Sequence, residues 1–166
     1  MKNLFTSHKE ELKDLLRYGV LKAEVLENPG LYNGRLGMTI LFYEYSRYCD
    51  DPLYEQFADE IMDSVLELPN DLSLNFSNGL SGIGWGMAYL LKKGFIEGNM
   101  DEILSDIDQK LNKSDLKESD KGYSTYLNMR EGKTDNENEI LKNIWESCLY
   151  HSFLNNLWAR IAVIGI

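Results

Sequence analysis

Two related stretches, NGRLGM at residues 33–38 and NGLSGI at residues 78–83, are the strongest indication of the fold of this chain. Both have the form N-G-x-x-G followed by an apolar residue, and they lie 45 residues apart. Each begins a segment with apolar residues at three- and four-residue spacing, which predicts inner helices over residues 34–48 and 79–93. A more charged helical pattern follows each of them. The sequence therefore predicts a repeated helix pair of about 45 residues.

The two motifs also supply the candidate site residues. Asparagine is a good helix N-cap, and glycine at three-residue spacing leaves a bare strip that a neighbouring helix or a ligand can approach. Each helical glycine costs about 1 kcal/mol relative to alanine, so packing or function must offset it. With no strand before the motif and no G-K-[ST], close packing is favoured over phosphate binding. The candidates, structural or at a binding face, are Asn33, Gly34, Gly37, Asn78, Gly79, Gly82, Gly84 and Gly86.

The other predicted helices have recognisable boundaries. An apolar stripe over residues 12–26 ends at the breaker Asn28-Pro29-Gly30. Asp51 should cap the next helix, with Pro52 at its first position, where no amide hydrogen is needed. Asp101 should cap a fifth helix. No segment has a convincing alternating strand pattern, so we expect an all-α fold.

We expect a single all-α domain over residues 1–166. A helix-pair arc should occupy residues 1–111. Residues 112–138, where apolar side chains thin out, should form a polar loop or frayed segment, with an acidic interaction segment as the alternative. Residues 139–166 should form a terminal helix.

The composition limits the function classes. Hydrophobic residues make up 43% of the 166 residues, as in a soluble globular protein. The 17 basic and 27 acidic residues give a formal net charge of −10, which phosphate backbones and anionic membranes repel. No apolar run reaches the roughly 20 residues of a membrane span, and the N-terminus lacks a signal-peptide core. We therefore expect a cytoplasmic protein that binds neither nucleic acid nor membrane.

Candidate metal ligands are few. Cys148 and His151 lie three residues apart on one helix face, but a catalytic zinc site needs three protein ligands. Cys49 and His8 could complete a set, although their spacing does not demand it. Since Cys148 also falls on the apolar stripe with Ile144, a buried core cysteine is the favoured interpretation. We expect no cofactor and no metal site.

Residues 28–110 resemble the N-terminal part of lanthionine synthetase C-like proteins. The resemblance rests on Gly34 and Gly37, the helix leading to Tyr48, the Asp-Pro-x-Tyr turn at 51–54 and the glycines over 79–86. It implies an α/α toroid of helix pairs whose inner helices begin with glycine motifs. Other α/α toroids share such motifs to a degree.

The resemblance also implies an activity. The family's cyclases join a cysteine thiol to a dehydrated Ser or Thr of a precursor peptide, and a zinc ion held by two Cys and one His activates the thiol. These ligands lie in W-C-x-G and C-H-G patterns. The stretches WESC at 145–148 and CLYH at 148–151 match neither pattern. No catalytic residue is carried over, and the chain is expected not to be active alone.

Three hypotheses for function result. The first is the family role in peptide modification without a zinc site, and the second is a non-catalytic peptide-binding or scaffold protein. The third is another α/α-toroid enzyme that uses loop carboxylates such as Asp71, Glu97 and Asp101. The fold expected in each case is an incomplete α/α toroid, an arc with apolar edges. A second copy or a partner chain should cover those edges.

Overall fold

A computed structural model describes residues 26–115, 120–134 and 136–150, with the last two residues described by their backbone alone. Residues 12–25 of the stripe predicted over residues 12–26 lie outside the described residues. So do His8 and everything after residue 150, including His151. All regular structure in these ranges is helical, which confirms the all-α prediction.

Seven α-helices follow one another along the described chain. They are α1 Arg35–Cys49, α2 Pro52–Val65, α3 Leu80–Lys93, α4 Met100–Ile103, α5 Ser105–Asn112, α6 Lys121–Arg130 and α7 Glu137–Trp145, which continues into a π-helical turn over Glu146–Tyr150. The two inner helices predicted from the glycine motifs thus begin and end within one residue of α1 and α3.

The junction between α1 and α2 agrees with the prediction. Asp51 caps α2, since its carboxylate accepts a hydrogen bond from the Leu53 N–H at 3.0 Å. Pro52 occupies the first helical position. Asp50 adopts a left-handed conformation (φ 54°) that ends α1, and this lets its N–H donate to the Ser46 carbonyl. The tight turn lays α2 back along α1.

Helix α3 lies in the core and is buried on almost every side. Residues from Leu80 to Leu90 are all buried, glycines included. The stacked rings of Trp85 and Tyr89, with centroids 5.3 Å apart, run along it. Phe95 extends the stack and reaches Tyr43 of α1 at 5.2 Å. Aromatic packing therefore joins the two glycine-led helices.

The fifth predicted helix is present but divided. Asn99, and not Asp101, is its cap: the Asn99 side chain accepts from the Asp101 and Glu102 N–H groups at 2.9 and 3.2 Å. The prediction that Asp101 caps this helix is wrong by two residues. The helix is also interrupted at Leu104, whose backbone leaves the helical region (φ −96°, ψ 1°) between α4 and α5.

The expected polar loop over residues 112–138 contains helix α6, so that prediction is wrong over residues 121–130. Asp120 caps α6 by accepting from the Gly122 and Tyr123 N–H groups, each at 3.0 Å. Tyr123, Tyr126 and Met129 form its buried face. Three buried side chains at three-residue spacing suffice to anchor a short helix against α3, while its other positions stay polar.

The last described elements match the predicted stripe. Ile140, Leu141 and Ile144 of α7 are buried, and so is Cys148 in the π-helical turn. The part of the predicted terminal helix beyond residue 150 lies outside the described residues. Within the ranges that the structure describes, no helix is long and apolar enough to cross a membrane.

Candidate functional site

The loops that precede α1 and α3 are joined to each other. The Leu31 and Tyr32 N–H groups both donate to the Ser77 carbonyl, at 3.0 and 2.8 Å. The side-chain amides of Asn28 and Asn78 lie 2.9 Å apart. The two glycine motifs, distant in sequence, therefore start side by side from one hydrogen-bonded loop pair.

The first two glycines of each motif lie against the backbone of their own preceding loop. A Cβ atom at Gly34 would collide with Gly30, and one at Gly79 would collide with the Ser73 carbonyl. One turn later, the same collision would occur between Gly37 and the Leu31 carbonyl, and between Gly82 and the Phe76 carbonyl. All four contacts share one cause, because each loop folds back across the first turn of the helix that it begins.

The two further glycines of the second motif meet other helices. A Cβ atom at Gly84 would lie 2.6 Å from the Tyr126 ring of α6, and one at Gly86 would lie 2.6 Å from Leu36 Cδ2 of α1. All six helix-start glycines thus face atoms of this chain. The geometry supports the close-packing interpretation of the strip.

The two asparagines do not cap their helices, contrary to the prediction. Gly34 and Gly79 occupy the N-cap positions, and neither helix start has a side-chain cap. Asn33 has a positive φ of 51°, and its N–H donates to the Ser147 hydroxyl at 3.1 Å. Asparagine is suited to this position because its short polar side chain tolerates the left-handed region.

Three buried tyrosines donate hydrogen bonds to carboxylates on neighbouring helices. Tyr43 of α1 donates to Asp59 of α2, and Tyr126 of α6 donates to Asp108 of α5, each at 2.5 Å. A third bond runs from Tyr89 to Glu44 and joins α3 to α1.

Burial is the main cause that raises the pKa of all three phenols above the usual value, and the nearby carboxylates raise it further. Sequence patterns did not predict these bonds. The one available signal was that residues 44 and 89 occupy equivalent positions in the 45-residue repeat. As neutral donors, the three phenols join neighbouring helices through buried hydrogen bonds.

The third hypothesis, an enzyme that uses loop carboxylates, named Asp71, Glu97 and Asp101, and these residues lie in different surroundings. Asp101 pairs with Arg130 at 2.9 Å, although its side chain is 87% exposed. Asp71 and Glu97 are exposed. Among the described residues, no three His, Cys, Asp or Glu side chains are grouped so as to hold a metal ion.

The two cysteines lie in different surroundings. Cys148 is buried, and its Sγ would lie 3.0 Å from a Cβ atom at Gly37. Cys49 is exposed at the end of α1. Its sulfur is nevertheless partly buried, and this partial burial, together with nearby acidic charge, raises the pKa of its thiol. A zinc ligand needs a thiolate. The raised pKa therefore disfavours the thiolate form of Cys49 in the metal-free chain.

A small polar cavity lies between α3, α6 and the start of α7. Its volume is about 40 Å³. Trp85, Thr125, Asn128, Lys133, Asn136 and Glu137 contribute to its lining. A cavity of this size holds a few water molecules and is far smaller than the hundreds of Å³ of a typical ligand site.

A comparison with known families relates the whole described region to one of them. The model of the lanthionine synthetase C-like protein family matches residues 26–159. Searches of curated proteins and of solved structures find no match.

Proposed function

The chain belongs to the lanthionine synthetase C-like family, and we propose that it serves peptide modification by binding a peptide, without activating a thiol itself. The observation that carries this proposal is the pair of glycine-led helices α1 and α3, which start from one joined loop pair. The glycine residues that carry the resemblance to the family are therefore the residues at which these two helices begin.

The cysteine surroundings support the non-catalytic part of the proposal. A thiol-activating site needs three converging protein ligands and a thiolate-favouring environment. Cys148 is instead packed against α1, and the pKa of the Cys49 thiol is raised. The sequence lacks both ligand patterns of the family's cyclases.

The proposal also includes association of the chain with a second copy of itself or with a partner chain. We expect a second copy or a partner chain to cover apolar side chains at the two ends of α2, where Leu53 in the first turn is 48% exposed and the C-cap Leu66 is 60% exposed. Two separate side chains make a weak patch. The solution mass, measured by analytical ultracentrifugation, checks this expectation.

The test combines binding with thioether formation. A fluorescein-labelled peptide that carries one dehydroalanine and one cysteine is titrated with the full chain, and anisotropy reports binding. Residual thiol is then counted by alkylation and mass spectrometry, because addition of the thiol across the double bond leaves the mass unchanged. We expect saturable binding and a rate of thiol loss equal to that in buffer, with or without one equivalent of zinc.

Two results would overturn the proposal. The first is a zinc-dependent acceleration of thiol loss, with one zinc per chain by elemental analysis, since the chain would then be a cyclase. The second is the absence of binding to peptides that carry the reactive pair, which would remove the peptide-binding role.

A further inference from the structure

The cavity between α3, α6 and α7 contains an unusual buried donor. Trp85 is 1% exposed, yet none of the described residues accepts a hydrogen bond from its indole Nε1–H. No buried side-chain nitrogen or oxygen in the described region is both sealed from solvent and unpaired. The indole N–H therefore keeps some contact with solvent, and Trp85 is one of the residues that line the cavity.

The charges around this cavity compensate each other. Glu137 pairs with Lys93 at 2.6 Å, and Lys133 pairs with Glu131 at 2.6 Å. Each charged group on the lining thus already has an opposite charge nearby. A neutral ligand group loses less on entry than an anion or a cation, which would have to compete with these pairs.

The uncharged lining both donates and accepts hydrogen bonds. Asn128 and Asn136 each present an amide oxygen and an NH₂ group, and Trp85 presents a donor only. The Thr125 hydroxyl donates to the Lys121 carbonyl at 2.6 Å, so its oxygen is left to act as an acceptor. A carboxamide, with one acceptor oxygen and one donor nitrogen, is complementary to this set.

We propose that this cavity, with the unpaired Trp85 among its lining residues, binds one carboxamide group of a peptide: an Asn or Gln side chain or a peptide bond. The volume of about 40 Å³ admits a group of a few atoms and no complete ligand. The group must therefore belong to a larger molecule. This inference rests on the proposed peptide-binding function and names the chemistry of one contact.

The first experiment uses acetamide as the probe. The chain is labelled with ¹⁵N in its three tryptophans, and the indole cross-peak of Trp85 is assigned with the variant Trp85→Phe. Because acetamide is small, we expect its dissociation constant to lie in the millimolar range. The Trp85 cross-peak should move saturably with acetamide and much less with sodium acetate at the same ionic strength. The other two indole cross-peaks serve as internal references.

A pair of matched variants tests the site. Asn128→Ala removes an exposed amide from the lining and should weaken acetamide binding about fivefold to tenfold, the loss of one hydrogen bond. Gln56→Ala removes an exposed amide from α2, outside the cavity, and should leave binding unchanged. A non-saturable shift, an equal response to acetate, or equal weakening by both variants would overturn the inference.

The same variants separate this inference from the proposed function. If the labelled peptide binds and Asn128→Ala leaves its affinity unchanged, the cavity inference fails while peptide binding stands. If acetamide binds at Trp85 and no peptide binds, the proposed function fails while the carboxamide site remains.

Discussion

The first glycine motif, at residues 33–38, and the second, at residues 78–83, share a start and then diverge. In both, a loop carbonyl covers the second glycine, from Leu31 in one and Phe76 in the other. Two residues after that glycine, the first copy has Thr39 where the second has Gly84. After another two residues, Leu41 corresponds to Gly86.

The neighbours explain the divergence. Thr39 and Leu41 are fully buried, and their own side chains fill the space around them. At Gly84 and Gly86 the space is filled instead by Tyr126 of α6 and Leu36 of α1. At these two positions α1 thus supplies side chains to the core, while α3 offers backbone against which side chains of other helices pack. The shared motif therefore specifies the helix start, and the tertiary neighbours specify the residues of the next turn.

The largest effect is expected at the shared part of the motif. Gly82→Leu would place a side chain against the Phe76 carbonyl, which is backbone and cannot rotate away, so we expect a loss of about 3 kcal/mol or more in unfolding free energy. Urea denaturation measures it. Gly94→Asn is the control, because nothing lies within 4 Å of a Cβ atom at Gly94 and asparagine tolerates its φ of +65°. An equal loss in both variants would refute the close-packing account.

Exchanging the divergent residues tests the second part of the comparison. Gly84→Thr introduces the residue that the first motif has at the equivalent position, Thr39, against the Tyr126 ring. We expect it to lower the unfolding free energy by about 2–3 kcal/mol. Much of that loss should disappear in a Tyr126→Ala background, where the obstructing ring is absent. The reverse change, Thr39→Gly, should cost about 1–2 kcal/mol in either background. A double-mutant cycle at Gly84 that shows strict additivity would contradict the assignment of Tyr126 as its neighbour.

High pH should weaken the packing around both motifs. Burial raises the pKa of Tyr45 to about 12, and the pKa values of Tyr43, Tyr89 and Tyr126 are raised further. Above pH 10 the unfolded chain releases phenol protons that the folded chain retains, so the unfolding free energy falls as pH rises. Denaturation at pH 9 and pH 11 measures this loss. Tyr45→Phe should reduce the fall in unfolding free energy between these two pH values. An unchanged fall would contradict a raised pKa of the Tyr45 phenol.

The smallest effect concerns the carboxylates beside α6. Asp101→Asn should change the unfolding free energy by less than about 0.5 kcal/mol, because the Asp101 side chain is 87% exposed. Asp108→Asn should cost about 1–2 kcal/mol, since Asp108 accepts from both the Tyr126 hydroxyl and Arg130. Thermal denaturation distinguishes them. The reverse order would mean that the packing of α6 against α5 does not depend on the Tyr126 bond.

Sequence patterns predicted much of the fold and less of the site. The apolar periodicity located α1, α2, α3 and the described part of the terminal helix, and the Asp51-Pro52 pair located a cap, because these signals are local. Helix α6 was missed because its buried face has only three residues in a polar segment. Asn33 and Asn78 were misassigned as caps because side-chain preference alone does not reveal the left-handed turn at Asn33.

The all-helical class, the 45-residue repeat and the positions of the glycines can be read from the amino-acid sequence. What covers each glycine, which tyrosine meets which carboxylate and where the unpaired Trp85 N–H lies depend on how the helices pack in the folded chain. The reason is physical: helix periodicity and capping act over a few neighbouring residues. Packing and buried hydrogen bonds instead join groups such as Gly84 and Tyr126, which are remote along the chain and meet only after it has folded.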